Sequence, residues 1–164
     1  MLLSLIRHAK SSWHDTSLPD IVRPLNDRGK EALHLISAQL QQKKCYTTLL
    51  YCSPATRALH TAIAICDSIG YPKNKIITNS AIYYGEVNDI INLLNTHHHE
   101  PTITIVGHEP LLSDLCDYIY GDSPAKFSTA AIANIQMNIQ SWKDDLHLKG
   151  KLISFITPKE LIAH

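Results

Sequence analysis

Short apolar runs alternate along the chain with longer stretches in which apolar residues recur at helical spacing. The short runs have the length and the β-branched content of buried strands, and the longer stretches have the period of amphipathic helices. This alternation predicts an α/β fold, a three-layer α/β/α sandwich with a mostly parallel central sheet. Strands are predicted at residues 2–6, 47–52, 76–78, 102–106, 130–138 and 151–156. Helices are predicted at residues 27–43, 54–69 and 87–96, and a fourth helix ends near residue 120.

Residues that favour helix ends support these boundaries. Asn26 is a favourable N-cap for the first helix. Ser53 followed by Pro54 predicts the start of the second helix, with Ser53 as the N-cap and Pro54 in the first turn. Gly70 and Pro72 predict the end of that helix, because glycine adopts the left-handed conformation that closes helices and proline cannot continue them.

The composition is that of one globular domain. The chain has 164 residues, of which 45% are hydrophobic and 18% charged, and it contains no repeat or linker, so residues 1–164 are expected to form a single domain. The 15 basic and 15 acidic side chains cancel, which argues against nucleic acid and membranes as partners. Without a secretion signal or an apolar run of membrane-spanning length, the protein is expected to be cytoplasmic.

Three polar segments directly follow predicted strands. Arg7 and His8 come after the first strand, Arg57 comes shortly after the second, and His108 comes after the strand at residues 102–106. In an open α/β sheet, ligands bind outside the carboxyl ends of the strands, so these side chains are expected to converge on one pocket. Two arginines and two helix N-termini would make that pocket selective for anions.

These residue types suit phosphoryl transfer. Guanidinium groups bind phosphoryl oxygens bidentately and stay charged at every physiological pH. A neutral imidazole is a competent nucleophile when its other ring nitrogen donates to a fixed acceptor, for which a backbone carbonyl is expected at His8. The second histidine can donate a hydrogen bond to the phosphoryl oxygens as charge develops on them.

Five segments of the chain, taken in order, resemble the histidine phosphatase superfamily, which includes phosphoglycerate mutase and acid phosphatase relatives. The likeness is greatest to the short SixA-type phosphohistidine phosphatases and runs from residue 1 to about residue 157. Leu5-Ile6-Arg7-His8-Ala9-Lys10 is similar to the Arg-His signature, although Ala9 stands where glycine is common. The other segments lie at residues 23–29, 53–61, 106–110 and 127–133.

The resemblance implies a phosphoglycerate mutase-like fold and a role for each matching residue. His8 would be the nucleophile that becomes phosphorylated. Arg7, Arg57 and His108 would bind and polarise the phosphoryl group, and Arg23 would be a further phosphate contact. No metal is expected, because the arginines supply the positive charge that a metal would otherwise provide, and no other cofactor is expected. The consecutive histidines at residues 97–99 are not expected to hold a metal either, because adjacent residues on a helix point apart.

Larger members of the superfamily protonate the leaving group with a carboxylate, and none stands at the corresponding position here, residues 79–84. Weak candidates for this acid are Glu86, Glu109, Asp15 and Asp20, of which the last two would act only if the loop at residues 14–22 closes over the site. Phosphohistidine has a labile P–N bond and a leaving imidazole that solvent can protonate. The missing acid therefore favours phosphohistidine over ordinary phosphomonoesters.

The expected function is that of a phosphatase acting through a phosphohistidine intermediate, with a phosphorylated protein as substrate, for example a histidine phosphotransfer domain. A phosphomonoesterase that acts on a small phosphorylated metabolite is the alternative within the same superfamily. A phosphohistidine-binding module without turnover is the alternative of another class, and a carrier that passes its phosphoryl group to an aspartate is a further one.

Overall fold

The computed structural model describes residues 1–97, 99–122 and 127–162, and in these residues six strands form one sheet. The strands are β1 (Leu2–Arg7), β2 (Leu49–Cys52), β3 (Ile77–Thr78), β4 (Thr102–Gly107), β5 (Ile132–Met137) and β6 (Gly150–Ile156). They lie in the order β3-β2-β4-β1-β5-β6. The neighbours from β3 to β1 are parallel, whereas β5 is antiparallel to both β1 and β6. The predicted α/β fold with a mostly parallel sheet is confirmed.

Helices cover both faces of this sheet. Within the described ranges they are α1 (Asp27–Gln42), α2 (Thr56–Ile69), α3 (Ala81–Tyr84), α4 (Val87–Asn95), α5 (Leu111–Tyr120) and α6 (Pro158–Ile162). Sequence periodicity did not predict α3 and α6, because a helix of one turn is too short to display a period. None of the described helices is long and apolar enough to span a bilayer.

Alternation along β1 separates two cores, one on each face of the sheet. Leu3 and Leu5 are fully buried in a cluster with residues of α4 and α5, such as Ile90 and Leu115. Ile6 points to the opposite face, into a cluster formed with α1 and α2. Side chains of successive strand residues point to opposite faces, so one strand supports both layers of helices. The result is the three-layer sandwich that the sequence predicts.

The predicted helix boundaries hold for α1 and fail at the start of α2. The side chain of Asn26 accepts a hydrogen bond from the Gly29 amide at 2.9 Å, as an N-cap does. In contrast, α2 begins at Thr56, because Ala55 remains extended (φ −64°, ψ 135°) and takes the N-cap position. The prediction of Ser53 as N-cap is therefore wrong. Gly70 ends α2 with φ 70°, as predicted.

Candidate active site

The carboxyl ends of β1, β2 and β4 meet at one edge of the sheet and bring the predicted segments together. The backbone amide of His8 donates to the Gly107 carbonyl at 3.0 Å, and the amide of Ser53 donates to the Val106 carbonyl at 3.0 Å. The ring centroids of His8 and His108 lie 4.9 Å apart. These bonds extend the parallel pairing past the strand ends, so the convergence of the two histidines follows directly from the topology.

The ring of His8 is held with one nitrogen toward the pocket. Its Nδ1 lies 2.7 Å from the backbone carbonyl oxygen of Ala9, which can only accept, so Nδ1 carries the proton and Nε2 keeps its lone pair. This is the backbone acceptor that the sequence analysis expected. Ala9 itself is fully buried, and its φ is not positive, so the methyl group that replaces the usual glycine fits without strain.

Two arginine side chains, those of Arg57 and Arg7, flank His8 Nε2 and strand β1. The Nε of Arg57, a residue of the first turn of α2, lies 3.4 Å from His8 Nε2. Arg7 donates from Nη1 to the Phe127 carbonyl at 2.7 Å. Both side chains line the same cleft as His8, together with the buried Arg23. The structure therefore brings three of the predicted basic residues around the predicted nucleophile.

The segment after residue 126 closes the end of β1. Ala130 has a left-handed backbone (φ 61°), and its amide donates to the carbonyls of Arg7 and His8 at 3.1 and 3.2 Å. The side chains of Ser128 and Thr129 line the cleft next to His8. This segment matches the fifth element of the family resemblance, and its position explains why a stretch without charged groups belongs to the site.

His108 is fixed by a residue that the sequence analysis assigned to helix capping. The Nε2 of His108 lies 2.7 Å from the hydroxyl oxygen of Ser53, a side chain that is fully buried. The ring of Tyr83 packs edge-on against His108, with the centroids 5.3 Å apart. Ser53 and Tyr83 thus hold the second histidine from two sides. The Ser-Pro motif indicated Ser53, but its link to His108 depends on a contact across 55 residues.

Replacing Ser53 by alanine should lower kcat/KM by about tenfold, since the imidazole ring of His108 loses its hydrogen bond to the Ser53 hydroxyl and samples other rotamers. Steady-state kinetics on a phosphohistidine substrate measure the effect. Ser37→Ala on α1 is a matched control because it removes a hydroxyl outside the cleft. Unchanged kinetics for Ser53→Ala would show that His108 needs no such support.

Both histidines are neutral in the folded protein near pH 7. Burial, followed by the nearby arginine charges, lowers the pKa of His8 from 6.5 to about 4, although the hydrogen bond to Ala9 opposes the shift. Burial, followed by His8 and Arg57, lowers the pKa of His108 to about 3. A neutral His8 with an unprotonated Nε2, which here accepts from Arg57 Nε at 3.4 Å, is the form of the imidazole that can act as a nucleophile.

These lowered pKa values predict how stability changes with pH. Between pH 6.5 and about 4 the unfolded chain protonates both histidines, whereas the folded protein does not. The free energy of unfolding should therefore fall as the pH is lowered through this window, by about 1.4 kcal/mol per pH unit for each histidine. Urea unfolding at several pH values tests this. His108→Asn should flatten the slope and His34→Asn, an exposed control on α1, should not; equal slopes in all three proteins would contradict the prediction.

Asp20 enters the site from the loop at residues 14–22. It begins a 3₁₀ turn (Asp20–Val22), and its carboxylate bridges Arg23 (Oδ1 to Nη1, 2.7 Å) and Arg57 (Oδ2 to Nη2, 2.8 Å). The hydroxyl of Tyr83 donates to Oδ2 at 2.6 Å. The Tyr83 hydrogen bond and then the two arginines hold the pKa of Asp20 well below its usual range. The carboxylate is therefore ionised in this arrangement and carries no proton to donate.

The other acids considered from the sequence lie in different surroundings. Asp15 is exposed and accepts from the amide and hydroxyl of Ser17. Glu86 is exposed at the start of α4, and Glu109 accepts a hydrogen bond from the hydroxyl of Ser113. Glu86 and Glu109 both line a cleft of about 400 Å³ that adjoins His108. Of the three-histidine run, His98 lies outside the described residues.

The cleft at His8 is open to the surface. It has a volume of about 470 Å³, and Lys10 and Trp13 form part of its rim. Trp13 is 71% exposed, and the guanidinium carbon of Arg23 lies 3.2 Å from the centre of its ring system. This is a cation–π contact that fixes the Arg23 side chain under the indole. Trp13 therefore lies at the rim of the cleft and does not cover the core.

The comparison with known families agrees with the motifs. Residues 3–82 match the model of the histidine phosphatase superfamily (branch 1). An uncharacterized chloroplastic protein of Arabidopsis thaliana is 26% identical over 173 residues, which cover 98% of this chain and 79% of that relative. The resemblance inferred from the five segments is confirmed at the level of the superfamily.

Solved structures have the same fold over nearly the whole chain. The protein histidine phosphatase SixA complexed with tungstate superposes with a TM-score of 0.83 at 23% identity, over 98% of this chain and 99% of that one. The phosphoserine phosphatase of Entamoeba histolytica in complex with 3-phosphoglyceric acid superposes with a TM-score of 0.66 at 15% identity, over 98% of both chains. The phosphoglycerate mutase-like fold predicted from the resemblance is thus confirmed.

Proposed function

We propose that this chain, which matches the histidine phosphatase superfamily over residues 3–82 and has the fold of SixA, removes phosphate from phosphohistidine on a protein. His8 would be the nucleophile. The observation that carries the proposal is the orientation of His8, whose unprotonated Nε2 lies in an open cleft lined by Arg7, Arg23 and Arg57. An imidazole lone pair among guanidinium groups is suited to attack a phosphoryl group that the same guanidinium groups bind.

The reaction would proceed in two displacements. His8 Nε2 attacks phosphorus and forms a new P–N bond, while the P–N bond of the substrate breaks and its electron pair leaves with the substrate imidazole, which takes a proton from water. A water molecule then attacks the phosphorus of phospho-His8, whose P–Nε2 bond breaks to release inorganic phosphate. Arg7, Arg57 and His108 would stabilise the charge on the phosphoryl oxygens in both steps.

The acids of the site support a phosphoramidate substrate over an ester. Asp20 is ionised between two arginines and has no proton for a leaving group. An alkoxide leaving group would need a proton from such a residue, whereas a leaving imidazole can be protonated by solvent. The open cleft with an exposed Trp13 at its rim suits a phosphohistidine that is presented on a protein surface.

The proposal is tested by offering two substrates in parallel, a phosphohistidine-bearing phosphotransfer domain and p-nitrophenyl phosphate. Rapid loss of phosphohistidine together with slow ester hydrolysis would support the proposal. Efficient hydrolysis of the ester and of unactivated sugar phosphates would overturn the assignment to phosphohistidine. Binding of phosphohistidine without any turnover would indicate a binding module, and a stable phosphoenzyme would indicate a carrier.

A small phosphorylated metabolite is the second candidate substrate, and one observation favours it. The cleft of about 400 Å³ next to His108 is lined by Tyr83, Glu86 and Asp114 and could hold the organic part of a phosphomonoester. Glu86 would then be the proton donor. In that case Glu86→Gln would abolish hydrolysis of unactivated esters and leave p-nitrophenyl phosphate, which has a good leaving group, nearly unaffected.

A further inference from the structure

Two buried arginines of the cleft share one carboxylate. The side chains of Arg57 and Arg23 are only 8% and 6% exposed, so little water reaches their charges. Asp20 lies within 2.8 Å of both guanidinium groups through its two carboxylate oxygens. Its backbone carbonyl also accepts from Nη1 of Arg57 at 2.6 Å. Buried cations require an anionic partner, and Asp20 is that partner of Arg57 and Arg23 in this structure.

The guanidinium group of Arg57 also faces His8. The Nε and Nη2 groups of a guanidinium form one edge, which is the fork that binds two oxygens of a phosphoryl group. In Arg57 the Nε lies 3.4 Å from His8 Nε2, while Nη2 donates to Asp20. A phosphoryl group positioned for attack by His8 therefore needs a donor that Asp20 occupies. The carboxylate and the phosphoryl group compete for one guanidinium edge.

We propose that Asp20 is the resident anion of the cleft, which a phosphoryl group displaces from Arg57 and Arg23 on binding and which returns to them when phosphate leaves. Asp20 thereby sets the affinity of the cleft for phosphoryl groups. This inference rests on the proposed function, because it takes the cleft at His8 as the phosphoryl site. It also assigns Asp20 a role other than that of the missing acid.

Tyr83 controls how firmly the resident anion is held. Its hydroxyl donates to Asp20 Oδ2, the same oxygen that binds Arg57, and its ring packs on His108. The tyrosine thus stabilises the position of Asp20, and its hydroxyl also interacts with the side chain of Arg57. Removing the hydroxyl should make displacement of Asp20 easier and leave the arginines in place.

The experiment is calorimetric titration of inorganic phosphate into the full chain and its variants. Asp20→Asn should bind phosphate about tenfold more tightly, because it removes a competing charge while it keeps the shape of the side chain. Tyr83→Phe should bind phosphate about two- to threefold more tightly, because Asp20 loses one hydrogen bond that holds it against the arginines. Asp15→Asn is the matched control, since it removes the same charge from the same loop at an exposed side chain.

The outcomes separate this inference from the proposed function. Equal or weaker phosphate binding by Asp20→Asn, with an unchanged melting temperature, would overturn the inference alone. If Asp20→Asn does not fold, unchanged binding by Tyr83→Phe would overturn it instead. A selective loss of turnover on esters with poor leaving groups, at unchanged phosphate affinity, would make Asp20 a proton donor and also overturn it. Phosphate that binds to neither the wild type nor any variant would reject the phosphoryl site itself.

Discussion

Replacing His8 by asparagine should lower kcat on phosphohistidine by at least about four orders of magnitude. Asparagine is close to histidine in size and can still donate a hydrogen bond to the Ala9 carbonyl. It has no nucleophilic nitrogen at the position that His8 Nε2 occupies next to Arg57. The loss should appear in kcat, because binding of the phosphoryl group depends on the arginines. A single-turnover assay with an alkaline denaturing quench measures it, because the P–N bond of phosphohistidine survives base and is hydrolysed in acid. The wild type should gain the mass of one phosphoryl group and the variant should not.

A matched control separates this effect from a general effect of losing an imidazole. His34 is exposed on α1 and does not line the cleft at His8, so His34→Asn should retain wild-type turnover. Melting temperatures of both variants show whether each protein is folded. A His8→Asn protein that is folded and still turns over would mean that a different group attacks phosphorus, and would refute the proposed mechanism.

Replacing Arg57 by alanine should lower kcat/KM by roughly a thousandfold, the size of effect seen when a donor to transition-state charge is removed. Its guanidinium is the group recorded closest to His8 Nε2 among the described residues, and its side chain is 8% exposed, so water cannot replace it fully. Arg57→Lys should recover only part of the loss, because an ammonium group keeps the charge and cannot form the planar fork.

Kinetics of the two Arg57 variants on the same phosphohistidine substrate test this expectation. Arg28→Ala, at an exposed position on α1, is the control and should behave as the wild type. Full activity of Arg57→Lys would show that charge alone is needed at this position. Full activity of Arg57→Ala would exclude Arg57 from the phosphoryl site and would leave Arg7 and Arg23 to bind the phosphoryl group.

Arg57 binds a different anion in each of the two proposals about the cleft. In the structure its donors bind Asp20, and in the proposed reaction they stabilise the phosphoryl oxygens. Arg57→Ala should therefore weaken phosphate binding, whereas Asp20→Asn should strengthen it. If the ion pair between Asp20 and Arg57 only supported the fold, replacing either residue should change the affinity for phosphate in the same direction. Opposite changes in affinity would therefore indicate that the two residues compete at the phosphoryl site.

Local sequence patterns predicted the parts of the protein that depend on neighbouring residues. Apolar runs of strand length gave the strands, because a buried strand needs side chains that satisfy both faces of the sheet. Asn26 and Gly70 marked helix ends because capping is a contact between residues a few positions apart. His8 and His108 could be assigned to one site because parallel topology brings the carboxyl ends of adjacent strands together.

Tertiary structure decided the contacts that join distant residues. Ser53 has the local signal of an N-cap, yet its hydroxyl lies next to His108, 55 residues away. Asp20 stands in a short polar loop, and its role depends on Arg57 and Tyr83, which are 37 and 63 residues distant. The orientation of such side chains is set by packing between elements, and the propensities that a sequence displays are local. Local patterns and the family resemblance thus predicted the fold and where the histidines and arginines of the candidate site lie, whereas the contacts of those side chains depend on packing between distant elements.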